Sequence, residues 1–167
     1  MRLKCSSDLL IKYTFMFSLF AKKPILDKVS QDKIVAGIVQ AERNTSGEIR
    51  VYMEHHCSYM DPLHRAKEIF GKLKMTKTAA RNAIIIYIAL TDRQFALFGD
   101  VAIYEKAGGA AFWKSAADRL TGHLKKNEVA DGIVNCIHEL GTALAAHFPP
   151  DPAIKKNELP DEIVFGK

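Results

Sequence analysis

Four carboxylates stand where side chains of that type could do chemistry: Glu48, Asp92, Asp100 and Glu105. Carboxylates bind hard cations such as calcium or magnesium, or move protons as general acids and bases. Glu48 opens an alternating stretch, residues 48–55. Asp92 lies in a polar turn, residues 91–94, between two apolar runs, 83–90 and 95–98. Asp100 ends the returning run and Glu105 follows it. Two readings stay open. In one, the carboxylates form a cluster at one sheet edge. In the other, Asp92 is turn chemistry, and the rest are solvated or paired with Arg50, Arg93 or Lys106. No spaced ligand motif such as an EF-hand is present.

Other groups carry weaker signals. His55, His56 and Cys57, with His64 beyond them, are metal-capable. Neighbours on a strand point to opposite faces, so both imidazoles do not readily meet one ion, and a structural zinc needs a closed ligand set. Surface histidines are the plainer reading. Cys136 and His138 lie two apart on a helical pattern and do not face each other. Lys72, Lys74, Lys77 and Arg81 would suit a phosphate or an acidic partner, or are simply solvated. Gly108-Gly109 lacks both the P-loop lysine and the dinucleotide fingerprint.

The elements that must position these groups are legible. Residues 83–90 are apolar on both sides of the pleat, as in a strand buried on both faces. With residues 95–98 they form a β-hairpin. Ser30 is read as an N-cap with Asp32 in the first turn, and Ile34, Val35, Ile38 and Val39 give an apolar face, so a helix spans 30–43. Residues 48–54 alternate, with Ile49, Val51 and Met53 inward and Arg50, Tyr52 and Glu54 on a wetter face. Asp61-Pro62 starts the next helix, an N-cap followed by proline at the first helical position. Strand, helix, strand makes a βαβ unit with parallel strands, so Glu48 and Asp92 belong to opposite ends of the sheet. Two helices follow, one with Phe112, Trp113, Ala116 and Leu120 inward and one over 128–146. The order α-β-α-β-β-α-α predicts an α/β protein, a three-layer α/β/α sandwich around a small mixed sheet.

Composition bounds the rest. The 167 residues suit one domain, and the apolar fraction of 48% is that of a globular protein. The formal charge of +5 is far from the dense basic stripe of a nucleic-acid binder, and no nucleic acid is expected. Three scattered cysteines without a CxxC pair point to reduced thiols and a cytoplasmic setting. Residues 13–21, the longest uncharged run near the N-terminus, are too short to span a bilayer. Export or membrane association through that stretch as a signal is the alternative. The expected layout is an N-terminal extension over 1–28, with translation starting at Met16 as one reading, a domain over 29–148 and an extended tail over 149–167.

Four stretches carry a family resemblance: ERNTSGEIRVY; KEIFGKLKMTKTAARNAIIIYIALTDRQFALFGD; ADGIVNCIHELGTALAAHFP; and NELPDEIVFG. In this order and spacing they resemble the TPM domain family, in its short bacterial form, across 29–167. The resemblance implies an α/β/α sandwich and a set of attributed roles: photosystem II repair, acid phosphatase activity, calcium binding and modulation of a membrane receptor. Its acidic positions match Glu48 in SGE, Asp92 in TDRQ and Asp100 in FGD. The chain departs at Ala102, where relatives carry glycine. The expectation is a calcium-binding accessory domain, with magnesium as the other cation. Asp100, Glu48, Glu105 and Asp92 are its metal set. It would act through a protein partner, such as a membrane protein or complex. A metal-assisted acid phosphatase acting on phosphomonoesters is the alternative.

Overall fold

A computed structural model describes residues 13–14, 25–57, 61–153 and 158–166. Ten main elements follow in order: β1 (Tyr13–Thr14), α1 (Lys28–Glu42), β2 (Glu48–Glu54), α2 (Pro62–Lys72), β3 (Ala83–Ala89), β4 (Gln94–Gly99), α3 (Val101–Lys106), α4 (Gly109–Lys125), α5 (Val129–His147) and β5 (Val164–Phe165). The strands form one mixed sheet, β1-β4-β3-β2-β5. β2 and β3 run parallel, with Glu48 opposite Ala83 and Glu54 opposite Ala89. β4 returns antiparallel to β3, and Gly99 faces Ile84. The α/β class and the expected parallel pair are both present.

Local sequence explains most boundaries. Asp61 caps α2 by accepting the Leu63 N–H at 2.9 Å, and Pro62 takes the first helical position, where its missing N–H costs nothing. α1 starts earlier than expected. Asp27, not Ser30, is its N-cap, because the Asp27 carboxylate accepts both the Ser30 N–H and the Ser30 hydroxyl at 2.9 Å. α3 was not anticipated. Asp100 creates it by capping Val101, and Gly108, with φ of 101°, turns the chain into α4. The strands β1 and β5 were also not anticipated, since two residues leave no period to read.

The layers follow from the pleat. Neighbouring strand residues point to opposite faces. Phe98 meets Phe70 of α2 edge to face, with ring centroids 5.0 Å apart. A Cβ at the next residue, Gly99, would come within 2.7 Å of the Trp113 ring of α4. So α2 covers one face and α4 the other. α5 packs beside α4 and α1 on that second face: a Cβ at Gly141 of α5 would lie 2.7 Å from the Ala41 Cβ, and a Cβ at Gly47 would enter the Leu144 side chain. β3 is buried along its whole length, as a strand between two helical layers must be.

The expected wetter face of β2 is corrected. Arg50 and Glu54 are 4% and 1% exposed. The alternation is real, but β2 is interior to the sheet, and its polar side chains lie beneath α2 and the C-terminal segment rather than water.

Candidate functional site

The strand register divides the four expected carboxylates. Glu48 opens β2 opposite the first residue of β3, and the Asp100 N–H donates to the Ala83 carbonyl at 2.9 Å. These two share the sheet end from which β2 and β3 start. Asp92 lies in the turn at the opposite end. Glu105 is exposed on α3.

Three of the four already serve the fold. Asp100 accepts two hydrogen bonds from Arg81, Nε to Oδ2 at 2.6 Å and Nη2 to Oδ1 at 2.8 Å, while capping α3. Glu48 takes the backbone N–H groups of Glu158 at 2.7 Å and Leu159 at 3.3 Å. Asp92 accepts the Cys57 N–H at 2.5 Å and lies 2.9 Å from His56 Nδ1. A calcium ion needs six to eight oxygens converging on one point. These carboxylates occupy two ends of the sheet and spend their oxygens on N–H donors, so they do not fit a single calcium site. Among the described residues, no three of His, Cys, Asp and Glu gather to hold a metal ion.

What the fold does gather is a different carboxyl cluster, on the outer edge of β2. Glu42, the last residue of α1, reaches back and accepts the Ile49 N–H at 2.6 Å. Asp161 and Glu48 lie close enough to repel its charge. Burial, with Glu48 and Asp161 adding repulsion, pushes Glu42 up to about 9. Burial likewise pushes Glu48 up to about 7, against the lowering effect of the two N–H donors. One Glu42 oxygen accepts from Ile49, and the burial of the group beside two further carboxyls favours its protonated form. Arg50 sits among Glu42, Glu48, Asp161 and Glu162, and burial draws its guanidinium below its ordinary value. Its Nε and one Asp161 oxygen are buried without a hydrogen-bond partner among the described residues.

Residues 158–166 close this cluster. Besides the two N–H bonds to Glu48, the Glu158 carboxylate accepts the Ala79 N–H at 3.2 Å. Ile163 is buried. β5 then pairs parallel with β2 at Tyr52 and Met53, and the Gly166 N–H donates to the Met53 carbonyl at 2.8 Å. A Cβ at Gly166 would come within 2.5 Å of the Tyr52 hydroxyl and 2.8 Å of Glu54 Oε2. A larger residue there would have to push the Tyr52 and Glu54 side chains aside.

At the far end of β2 lies a second buried polar group. Arg65 of α2 grips Glu54 with two bonds of 2.9 and 2.7 Å, and the Tyr87 hydroxyl donates to Glu54 Oε1 at 2.6 Å. The hydrogen bond to Glu54 holds the Arg65 guanidinium above its ordinary value, and burial raises the Tyr87 phenol. A concavity of about 340 Å³ between α4 and α5 is lined by Arg119, His123, Asn135 and Glu139 over Cys136. Arg119 pairs there with Glu139, and His123 is hydrogen-bonded with Glu128. Burial pushes the Cys136 thiol up to about 12, which suits an inert core residue.

Sequence reasoning missed Glu42, Asp161 and the burial of Arg50. Glu42 reads as an ordinary helix-end residue. The only signal was the apolar patch at 163–165, which marks the tail as anchored.

The fold and its strand-end carboxylates define a three-layer α/β/α domain around a mixed sheet. The TPM domain family model matches residues 21–143, and the chain belongs to that family. It is 35% identical to the BA42 protein of the psychrophilic bacterium Bizionia argentinensis, with a TM-score of 0.78 over 86% of this chain and 97% of that one. The N-terminal domain of the cg2496 protein of Corynebacterium glutamicum shares the fold at 14% identity, with a TM-score of 0.58 over 77% of this chain and 88% of that one. No curated protein matches the chain. Among the described residues, no helix is long and apolar enough to cross a membrane.

Proposed function

We propose that this TPM domain is an accessory binding domain that acts through a protein partner, in the setting of membrane-protein assembly or repair. The observation that carries this reading is the engagement of Asp100, Glu48 and Asp92 in hydrogen bonds that hold the fold. Carboxylates spent in this way are poor general acids or bases. A metal-assisted phosphatase needs carboxylates converging on a cation beside a basic group, and the expected set is split between two sheet ends. A reducing, cytoplasmic setting belongs to the same proposal, in keeping with cysteines scattered along the chain and without a CxxC pair.

The cation enters this reading in a narrower form. Any calcium, ahead of magnesium, would bind weakly at Asp100 alone, with water supplying most of its oxygens, where the Arg81 side chain that holds Asp100 is half exposed and can yield. The test is a calcium and magnesium titration of the full chain followed by amide NMR shifts. Shifts centred on Val101, lost in Asp100→Asn, are expected. Shifts centred on the Asp92 turn, or shifts unchanged in Asp100→Asn, would overturn this assignment. Hydrolysis of a generic phosphomonoester that falls in Asp92→Asn and Asp100→Asn would overturn the accessory reading in favour of an enzyme.

A further inference from the structure

The groove between α4 and α5 is hollow because glycines stand where side chains would fill it. Gly122 of α4 lines the hollow, and a Cβ built on it meets nothing within 4 Å. Gly132 of α5 lines it too, and there a Cβ would come within 2.7 Å of the His123 Cβ. The first glycine leaves space, and the second lets the two helices close beside that space. The hollow measures about 340 Å³, the size at which small-molecule sites begin. Its floor is apolar, with Leu120 and Cys136 both buried there.

The polar rim is fixed on one side and uncommitted on the other. His123 Nδ1 lies 2.8 Å from Glu128 Oε2, and Asn135 Nδ2 lies 3.1 Å from His123 Nε2. With the ring N–H given to Glu128, Nε2 accepts one Asn135 N–H, and the second Asn135 N–H is left for another acceptor. Arg119 is matched by Glu139. Lys126, which follows the last residue of α4, lines the same hollow and has no ion pair among the described residues. The lining therefore carries one unmatched positive charge and one spare amide donor above an apolar floor.

We propose that this hollow binds a small amphipathic monoanion, a carboxylate on a short apolar chain, with Lys126 and Asn135 taking the carboxylate and Leu120 and Cys136 the chain. The charge follows from the rim. A dianion would exceed the single free cation, and an amine would meet Lys126 with like charge. The apolar chain follows from the floor, since covering Leu120 and Cys136 is where burial adds affinity. The site is independent of the accessory reading, because neither Asp100 nor the covered edge of β2 takes part in it.

The test is an amide NMR titration of the full chain with octanoate, with octanol and octylamine in parallel. Octanoate is expected to shift Gly122, Gly132 and Asn135 together and saturably. Octanol, which lacks the charge, is expected to bind about tenfold more weakly, and octylamine more weakly still. Gly122→Leu fills the hollow from a position with open space around its Cβ. That variant is expected to lose the octanoate shifts while its thermal unfolding stays at or above that of the parent chain. Lys126→Gln is expected to weaken octanoate about tenfold and leave octanol unchanged. Four results would overturn the site: no octanoate shifts, octanoate shifts that persist in Gly122→Leu, octanoate bound equally by Lys126→Gln and the parent chain, or octanol or octylamine bound as tightly as octanoate.

Discussion

Arg65 and Glu54 show how much a single buried charge pair decides. Glu54 is almost wholly enclosed and receives three hydrogen bonds, two from Arg65 and one from Tyr87. Removing one partner leaves a charge without compensation in the interior. Arg65→Met is expected to cost about 3 kcal/mol in urea denaturation, with Glu54→Leu added in the double variant restoring part of it. A loss under about 1 kcal/mol would mean that the pair acts as a surface ion pair. This is also the scale at which the sequence was least legible. Arg50 and Glu54 alternate with Ile49, Val51 and Met53, and alternation normally marks one solvated face. What covers that face comes from α2 and from a segment about one hundred residues further on, which no local pattern encodes. The same distance hid Glu42, which accepts the Ile49 N–H and lies near Asp161.

Elements were legible where their chemistry was local. Asp61-Pro62 fixed the start of α2, and the apolar run ending in a polar turn fixed the β3–β4 hairpin. α3 escaped because six residues hold less than two turns of pattern, and its start depends on Asp100 doubling as a helix cap. Helix packing makes a contrast that can be measured. Gly122, inside α4, has nothing within 4 Å of an added Cβ, whereas at Gly141 the added Cβ lies 2.7 Å from Ala41 on α1. Gly122→Ala is expected to stabilise the protein by about 0.5–1 kcal/mol through helix propensity. Gly141→Ala is expected to cost about 1–3 kcal/mol, because α1 and α5 must separate. Thermal or urea unfolding of both variants checks the pair, and equal effects would contradict the α1–α5 packing.

At the scale of the whole molecule, the raised carboxyls set a pH dependence. Each is an ordinary acid when unfolded, near 4.5, while folded Glu48 is raised to about 7 and Glu42 to about 9. The folded state therefore binds protons that the unfolded state has lost. Their contribution is fully present below the unfolded value and is lost as pH rises through the folded values. The urea midpoint is expected to fall from mildly acidic to alkaline pH, and less steeply in Glu42→Gln. A midpoint that rises over that range would contradict the protonated state assigned to Glu42. Fold class, the parallel pair and the opposite placement of Glu48 and Asp92 were all readable because they follow from element order. The β2 edge was not, because it is an agreement between two distant parts of the chain.

That distance has a consequence for biosynthesis. Glu48 and the Glu158 N–H that satisfies it are 110 residues apart. On a ribosome, β2 and β3 emerge long before the strand that completes them. Until residues 158–166 arrive, the nascent sheet carries an unsealed edge, the kind of surface that recruits strands from other molecules. Inclusion bodies and chaperone demand should therefore track the integrity of residues 158–166 more closely than the stability of the finished fold.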